Sequence, residues 1–471
     1  MGKRTGEAFA VYEDPRQAED GMASKDPRIY FGGGISGEEK NVLEAARHQI
    51  EYSHMQNITA IVLAAGRGTR MKSDTPKVLH KVLGKPVISY ILEALKRAGV
   101  KDIIVVAGYG SELLKGSVGT ARVAIQKKLL GSGDAVAAAK RYLKSAAGDV
   151  IVTCGDAPLI RPDTFRRLIA KHRSSGSSVT VLTAKVKDPS EYGRIVRDSS
   201  GKVLNITEHK DSSERERAID EINAGTYCFK SADLFAALEK VRPDNNKGEY
   251  YLTDTVSIIR SEMLKPVGSV LAEDESEIIG INTRMDLAEA SMKLKDTVLK
   301  DLMAGGVTIE DPATTTIYPG VKIGRDTVIK PNTIIESDVV IGRNCRIGPF
   351  ARIRPHTKIA DDAEIGNFVE LVRTMIGKGT RVKHHTYLGD AVLGKGVNVG
   401  AGTITANYDG KNKNRTVIED GAFLGVGSIL IAPVKIGRRA TVGAGCVVPR
   451  GHNVPSGATV VGVPAKTLRK R

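Results

Sequence analysis

One aliphatic residue recurs at every sixth position through Ile317, Ile323, Ile329, Ile335, Ile341, Ile347, Ile353, Ile359, Ile365 and Leu371. A second register runs through Ile376, Val382 and Leu388, and a third through Leu424, Leu430, Ile436, Val442 and Val448. Glycine follows many of them, as in Ile341-Gly342, Ile347-Gly348 and Ile365-Gly366. An α-helix, with ~3.6 residues per turn, cannot keep such a repeat on one face, whereas a triangular coil with one short strand per side can. Each hexad then sends one side chain inward, and stacked coils share one continuous core. Over 405–416 the rhythm is interrupted by Asn407-Tyr408-Asp409-Gly410, which predicts a loop leaving the coil and reaching across a subunit boundary.

The first half carries a different pattern. From 58 to about 282, apolar runs such as Ile58, Ala60, Ile61, Val62 and Leu63, then 103–107 and 150–153, alternate with helical stretches such as 87–98. That alternation predicts a doubly wound α/β domain. Residues 283–303 read as one helix, with Ala288, Met292, Val298 and Leu302 on a stripe and Gly305-Gly306 as its stop. It would form a rigid linker. The division expected is an extension over 1–54, an α/β domain over 55–282, a linker over 283–306, a hexad domain over 307–464 and a mobile basic tail over 465–471. Ser36 and Glu39 form a capping box for a short helix through Val42, Leu43, Ala46 and Ile50. The extension is expected to be loosely ordered, or to reflect an upstream start in place of Met55.

With 471 residues the chain is long for a single core, which supports two domains and a tail. A formal charge of +16 invites a nucleic-acid partner, but the basic residues are dispersed, aromatic residues make up only 4%, and no nucleic-acid module is present. Small anionic substrates account for the excess instead. No run approaches the ~18 apolar residues of a membrane span, and the polar start lacks a secretory core, so a cytoplasmic protein without a membrane partner is expected. Cys154, Cys228, Cys345 and Cys446 are isolated, which indicates neither a zinc site nor a disulfide framework.

Candidate chemistry begins where the first strand ends. Leu63-Ala64-Ala65-Gly66-Arg67-Gly68-Thr69-Arg70-Met71 is followed by Pro76-Lys77-Val78-Leu79. Gly66 and Gly68 permit backbone shapes that a side chain would block, and phosphate oxygens can then approach main-chain N–H groups. Arg70 and Lys77 supply positive charge suited to anionic substrates and an anionic transition state. The spacing fits neither G-x-x-x-x-G-K-[ST] nor G-x-G-x-x-G. An ordinary glycine-rich turn is the bland alternative, outweighed by Pro76-Lys77 and the downstream motifs.

The L-A-A-G-R-G-T-R-M and P-K-V-L motifs resemble the signature of sugar-1-phosphate nucleotidyltransferases. The hexads resemble the left-handed parallel β-helix of hexapeptide-repeat acyltransferases. The hand comes from that family, since the general rule for parallel crossovers favours the other. In this order, and over nearly everything after Met55, the two resemble the bacterial family of bifunctional N-acetylglucosamine-1-phosphate uridylyltransferases and glucosamine-1-phosphate N-acetyltransferases. The resemblance implies that Leu63, Ala64, Ala65, Gly66 and Lys77 hold UTP, and that Gln126 with Gly131 and Ser132 reads the uracil. It implies further that Gly193, Glu208, Asn223 and the Gly248-Glu249-Tyr250-Tyr251 segment surround the sugar, and that Asp156 with Asn282 holds Mg²⁺. Mg²⁺ takes only one or two carboxylates and keeps several waters, although an aspartate after a glycine can also merely cap a turn. The attacking phosphate of N-acetylglucosamine 1-phosphate is already anionic, so positioning and charge neutralisation by Mg²⁺, Lys77 and Arg70 would supply most of the acceleration.

In the second half, Asn367-Phe368-Val369-Glu370, His384-His385-Thr386-Tyr387-Leu388-Gly389-Asp390 and Asn398-Val399-Gly400-Ala401-Gly402-Thr403 carry the acetyltransferase likeness. The amine of glucosamine 1-phosphate must lose a proton before attacking a thioester, and histidine, with an ordinary pKa of ~6.5, can accept it near neutral pH. His384 aligns as the base and Tyr387 as a positioning group. His385 competes, because neighbours in a strand face opposite sides, and both could be plain surface residues. By resemblance Arg354, Tyr387, Asn398 and Lys413 bind the sugar phosphate, and Ala401, Asn407, Tyr408 and Ala444 bind acetyl-CoA. Departures from the family pattern are Leu129 for glutamine, Cys154 for tyrosine, Val372 for lysine, Val426 for serine and Gly462 for arginine, with Arg373 a possible substitute for the missing lysine. The coil is also shorter than usual before Ile347. The implied product is UDP-N-acetylglucosamine for cell-envelope synthesis, made by a homotrimer. Two other readings stand beside it: a single-activity sugar nucleotidyltransferase whose β-helix oligomerises or regulates, and a non-enzymatic scaffold.

Overall fold

The computed structural model describes residues 58–143 and 148–467. The predicted extension with its 36–50 helix, and residues 468–471, lie outside that range. All described residues fall in one compact unit. Its first part is a nine-stranded sheet of β1 (Ile58–Ala64), β2 (Asp102–Ala107), β3 (Arg122–Ile125), β4 (Asp149–Cys154), β5 (Val179–Lys185), β6 (Arg194–Arg197), β7 (Val203–Thr207), β8 (Glu221–Lys230) and β9 (Val267–Leu271). The order is β9-β5-β8-β4-β1-β2-β3, with β6 joined to β8 and β7. β1 pairs in parallel with β2 and β4. Buried on both faces, it reads as a continuous apolar run in which Ala60, Ile61 and Val62 are fully enclosed. β8 runs antiparallel between β4 and β5, so the expected doubly wound sheet is mixed. Because β2 and β3 lie on one side of β1 and β4 on the other, a crevice opens at the C-terminal ends of β1 and β4, the usual ligand position in such sheets. Helices α1 (Val87–Arg97), α2 (Ser132–Ala139), α3 (Pro162–Ser174) and α4 (Ser231–Leu238) pack around the sheet.

A 21-residue helix, α5 (Arg284–Ala304), leads to the second part, and Thr283 with Asp286 closes its N-terminus in a capping box. The predicted stripe needs correcting: Ala288 is exposed and Met292 is 61% exposed. The packed face is instead Leu287, Ala290 and Leu294 against Met71, Val82, Val87, Tyr90 and Ile281, followed by Val298, Leu299 and Leu302 against the hexad core. The helix thus belongs to both cores along one stripe, since Leu287, Ala290, Leu294, Val298 and Leu302 follow one another at helical i, i+3 and i+4 spacing.

The hexads form a three-sided parallel β-helix of the left-handed hexapeptide kind. One face stacks Ile309, Ile329, Ile347, Ile365, Val382, Val399, Leu424, Val442 and Val460. The second stacks Ile317, Ile335, Ile353, Leu371 and Leu388, and the third Ile323, Ile341, Ile359, Ile376, Leu393, Ile418 and Ile436. The three sequence registers are therefore one architecture. Coils are 18 residues long where Ile329 pairs with Ile347, and 17 where Ile359 pairs with Ile376 and Leu371 with Leu388. The missing residue is absorbed at two corners, Arg373 and Asp390, each left-handed at φ 50°. These corners stack, with Arg373 Nε and Nη2 donating to the two Asp390 carboxylate oxygens at 2.6 and 2.8 Å. Inside the prism, buried threonines satisfy carbonyls of the next coil, as Thr327 does Gly342 at 2.9 Å and Thr380 does Gly394 at 2.7 Å. The tail expectation also changes, because Lys466–Thr467 pairs antiparallel with Val460 and Val461. All four cysteines are unpaired.

Candidate functional site

The crevice at β1 and β4 gathers the first set of candidates. The Gly155 N–H donates to the Leu63 carbonyl at 2.8 Å, locking the loop after β4 to the end of β1, with Ala64 and Ala65 buried beside it. Gly68 sits at φ +64°, and a Cβ there would lie 2.6 Å from the Lys77 Cβ, so only glycine lets the Lys77 turn pack against this loop. Gly66 has neither a left-handed φ nor any atom within 4 Å of a virtual Cβ. The sequence argument for a restricted backbone therefore holds at Gly68 and not at Gly66.

Lys77, Asp156 and Asn282 meet. Lys77 Nζ bonds to Asp156 Oδ2, and also to Asn282 Oδ1 at 3.0 Å. Asn282 is held from behind: Asp286 Oδ2 accepts from the N–H groups of Asn282 and Thr283 at 2.8 and 2.9 Å. The Ile281 N–H donates to the Asp156 carbonyl at 2.9 Å. Two oxygen donors thus point at one positive centre, with the ammonium standing where a hard cation fits, which is the donor chemistry Mg²⁺ prefers. Among the described residues no group of three or more His, Cys, Asp or Glu side chains could hold a metal, so any such site here is of the sparse kind. Arg70 is not drawn to this triad. It pairs with Glu191, both side chains being more than half exposed.

Gly131 and Ser132 are laced to the 248–251 segment. At Gly131, φ is +119° and a Cβ would lie 2.5 Å from the Tyr250 carbonyl oxygen, while Ser132 Oγ accepts from the Leu252 N–H at 2.9 Å. Gln126 is buried at the end of β3 and donates to the Gly131 carbonyl and to Asp134 at 3.1 and 2.8 Å. The Asn223 N–H donates to the Gly193 carbonyl at 2.9 Å, and its Nδ2 to the Tyr227 hydroxyl at 2.6 Å. Burial pushes the Glu208 carboxyl up, opposed by the Thr253 hydroxyl donating at 3.1 Å. Burial and then the negative charge of Asp156 push the Cys154 thiol up to about 12, so it stays neutral. Sequence reasoning gave Tyr227 and Asp286 no role. Thr283-x-x-Asp286 is a capping-box signal that points to the latter, whereas nothing local marks Tyr227.

On the β-helix, Asn367 and His384 are register neighbours, and His384 Nδ1–H donates to Asn367 Oδ1 at 2.8 Å. The expected in/out alternation of His384 and His385 fails because the chain turns a corner there: both are exposed, and His385 is left-handed at φ 43°. Its ring stacks on Phe368, centroids 5.0 Å apart, and Phe368 stacks on Phe350 at 5.2 Å. His384 is thus the histidine with an oriented ring and an uncommitted Nε2. Ala401, Val426 and Ala444 continue its column on the following coils, with the Gly427 N–H bonded to the Ala401 carbonyl and the Gly445 N–H to that of Val426. Around the corner, Arg354 Nη1 donates to Glu370 at 3.1 Å, and Glu370 is the register neighbour of Tyr387. Asn407 Nδ2 donates to Asp390 at 2.5 Å, and Lys413 lies 4.0 Å from the centre of the Tyr408 ring. Asn398 sits half-buried on the face of Arg381 and Phe423. Val372 is buried, whereas Arg373 beside it faces solvent and Asp390.

A mixed sheet with this crevice, followed by a hexad prism, defines a nucleotidyltransferase joined to a hexapeptide transferase. Residues 60–256 match the MobA-like NTP transferase domain, and residues 338–373 and 415–450 match the six-repeat bacterial transferase hexapeptide family. The chain is 46% identical to the bifunctional protein GlmU of Pelotomaculum thermopropionicum, over 80% of this chain and 90% of the relative. It is 45% identical to that of Heliobacterium modesticaldum (86% and 96%) and 46% identical to that of Geobacillus thermodenitrificans (86% and 95%). The chain belongs to the bifunctional GlmU family.

Proposed function

We propose that the chain carries out both half-reactions of UDP-N-acetylglucosamine synthesis. Acetyl-CoA acetylates glucosamine 1-phosphate, and the product takes a uridylyl group from UTP with release of pyrophosphate. The observation that carries this reading is the convergence of Lys77, Asp156 and Asn282 in the crevice of a GlmU-family chain. The sugar phosphate attacks as an anion, so no general base is required at the α-phosphorus. Asp156 and Asn282 would hold Mg²⁺, which would supply charge neutralisation to the phosphate oxygens. Lys77 then turns its ammonium to the nucleotide, and Arg70, freed from Glu191, meets the departing pyrophosphate. Gln126, Gly131 and Ser132 face the uracil, and Gly193, Glu208 and Asn223 the sugar.

In the acetyl half, the amine of glucosamine 1-phosphate gives a proton to His384 Nε2, the C–N bond forms, the C–S bond breaks, and coenzyme A leaves as its thiol. Asn367 keeps the ring in the tautomer that can accept. Arg354, Tyr387, Asn398 and Lys413 take the sugar phosphate, and Ala401, Asn407, Tyr408 and Ala444 the acetyl-CoA. We read the working assembly as a cytoplasmic homotrimer serving cell-envelope synthesis. Among the described residues no helix is long and apolar enough to cross a membrane.

The test is to follow thiol release and pyrophosphate release separately. Asp156→Asn should lower pyrophosphate release by at least ~100-fold and spare thiol release, with His384→Ala doing the reverse, in line with the effects of losing one transition-state group or one general base. No thiol release from the unaltered chain would refute the acetyl half and leave a nucleotidyltransferase with an accessory β-helix.

A further inference from the structure

Behind the crevice lies a carboxylate with no assigned role. Glu277, on the loop between β9 and α5, is 2% exposed. Its Oε1 accepts from Arg161 Nε at 2.7 Å and from Arg161 Nη2, and its Oε2 accepts from the Arg161 backbone N–H at 3.3 Å and from the Thr164 hydroxyl. Arg161 is the N-cap residue of α3 and has no side-chain cap of its own. The first turn of α3 is therefore capped by a residue 116 positions away. A local serine or aspartate would cap the helix as well. What a distant carboxylate adds is a tie between two loops: residues 155–161, which present Asp156, and residues 272–283, which present Asn282.

The loops touch again where the Ile281 N–H meets the Asp156 carbonyl at 2.9 Å. That bond alone is a hinge; with Glu277 as a second, buried anchor, the loops can neither twist nor slide past one another. We propose that Glu277, through Arg161 and Thr164, is a positioning residue that sets the spacing of the two metal-binding oxygens. This rests on the reading of Asp156 and Asn282 as metal ligands.

The test uses the full chain saturated with UTP, Mn²⁺ as the probe and electron paramagnetic resonance to count free metal, with thermal midpoints recorded alongside. Asp156→Asn should abolish the site. Glu277→Gln should weaken Mn²⁺ binding about 10-fold, the range typical of residues that orient ligands. Arg161→Lys, which keeps the charge but removes the fork, should do the same, and the double variant should cost little more than either single one. Parent-like Mn²⁺ affinity in Glu277→Gln alongside loss in Asp156→Asn overturns the proposal, even if the thermal midpoint falls, because the role is then structural only. If Asp156→Asn itself binds as the parent does, the ligand reading fails and the proposal falls with it. Should Glu277→Gln not fold, Arg161→Lys decides by the same criterion.

Discussion

Removing the Lys77 ammonium should improve metal binding while destroying catalysis, a pairing that few substitutions would produce. In the structure Lys77 occupies the point between Asp156 and Asn282, with the Lys77 and Asp156 side chains only 16% and 19% exposed. Two opposite unit charges in contact, at an effective dielectric of ~20, attract by about 4 kcal/mol. A divalent cation reaching Asp156 without nucleotide must first displace that interaction. Taking ~1.4 kcal/mol per decade, the ceiling on the gain for Lys77→Ala is ~1,000-fold. Solvent that replaces the lysine at the crevice mouth lowers this, and at least ~10-fold tighter Mn²⁺ binding to the nucleotide-free variant is expected. Pyrophosphate release should fall by ~100-fold or more, since the phosphates lose a preorganised charge. Mn²⁺ titration followed by electron paramagnetic resonance, beside a pyrophosphate assay, measures both. Unchanged or weaker Mn²⁺ affinity in Lys77→Ala would mean that the lysine does not guard the metal position.

Gly68→Ala should act on the same group indirectly: its Cβ would meet the Lys77 Cβ at 2.6 Å, so pyrophosphate release should drop at least ~10-fold while thiol release stays at the parent level. A third prediction concerns Asp254, whose carboxyl is raised from 3.8 to about 6 by burial and then by Glu208 and Asp211. The folded chain holds this proton more tightly than the unfolded one, so stability from this group is present at low pH and is lost as pH rises from 3.8 to about 6. Asp254→Asn should remove that loss and raise stability at pH ~7.5 by on the order of 2 kcal/mol, with little gain at pH ~4. Urea unfolding at both pH values checks it, and an equal gain at the two would refute the assignment.

Both domains were legible in the chain because their signals are local. Ile317 to Leu371 name one prism wall after another by spacing alone, and the apolar run of β1 announces a strand buried on both sides. What escaped depends on contacts distant in sequence, or on chain turns that break a simple period. The stripe assigned to α5 held at Val298 and Leu302 and failed at Ala288 and Met292, because in the first turns the packed phase is set by Leu287, Ala290 and Leu294, whose partners lie far away in sequence. The His384/His385 alternation failed because a left-handed corner at His385 bends the strand Arg381–Gly389. Glu277 was invisible, since its partners Arg161 and Thr164 lie more than a hundred residues earlier. Arg70 was picked for its charge, but nothing near it in sequence reveals Glu191 as its partner.

The tight corners at Arg373 and Asp390 make chain length in this prism a local matter. The coil from Ile341 to Ile359 spans 18 residues and the next, from Ile359 to Ile376, spans 17, yet the wall stays in register. A corner can therefore lose a residue by tightening without turning any later aliphatic side chain toward water. The excursion between Val399 and its partner Leu424, 25 residues apart, is the converse, a stretch that gains chain while the wall stays in phase.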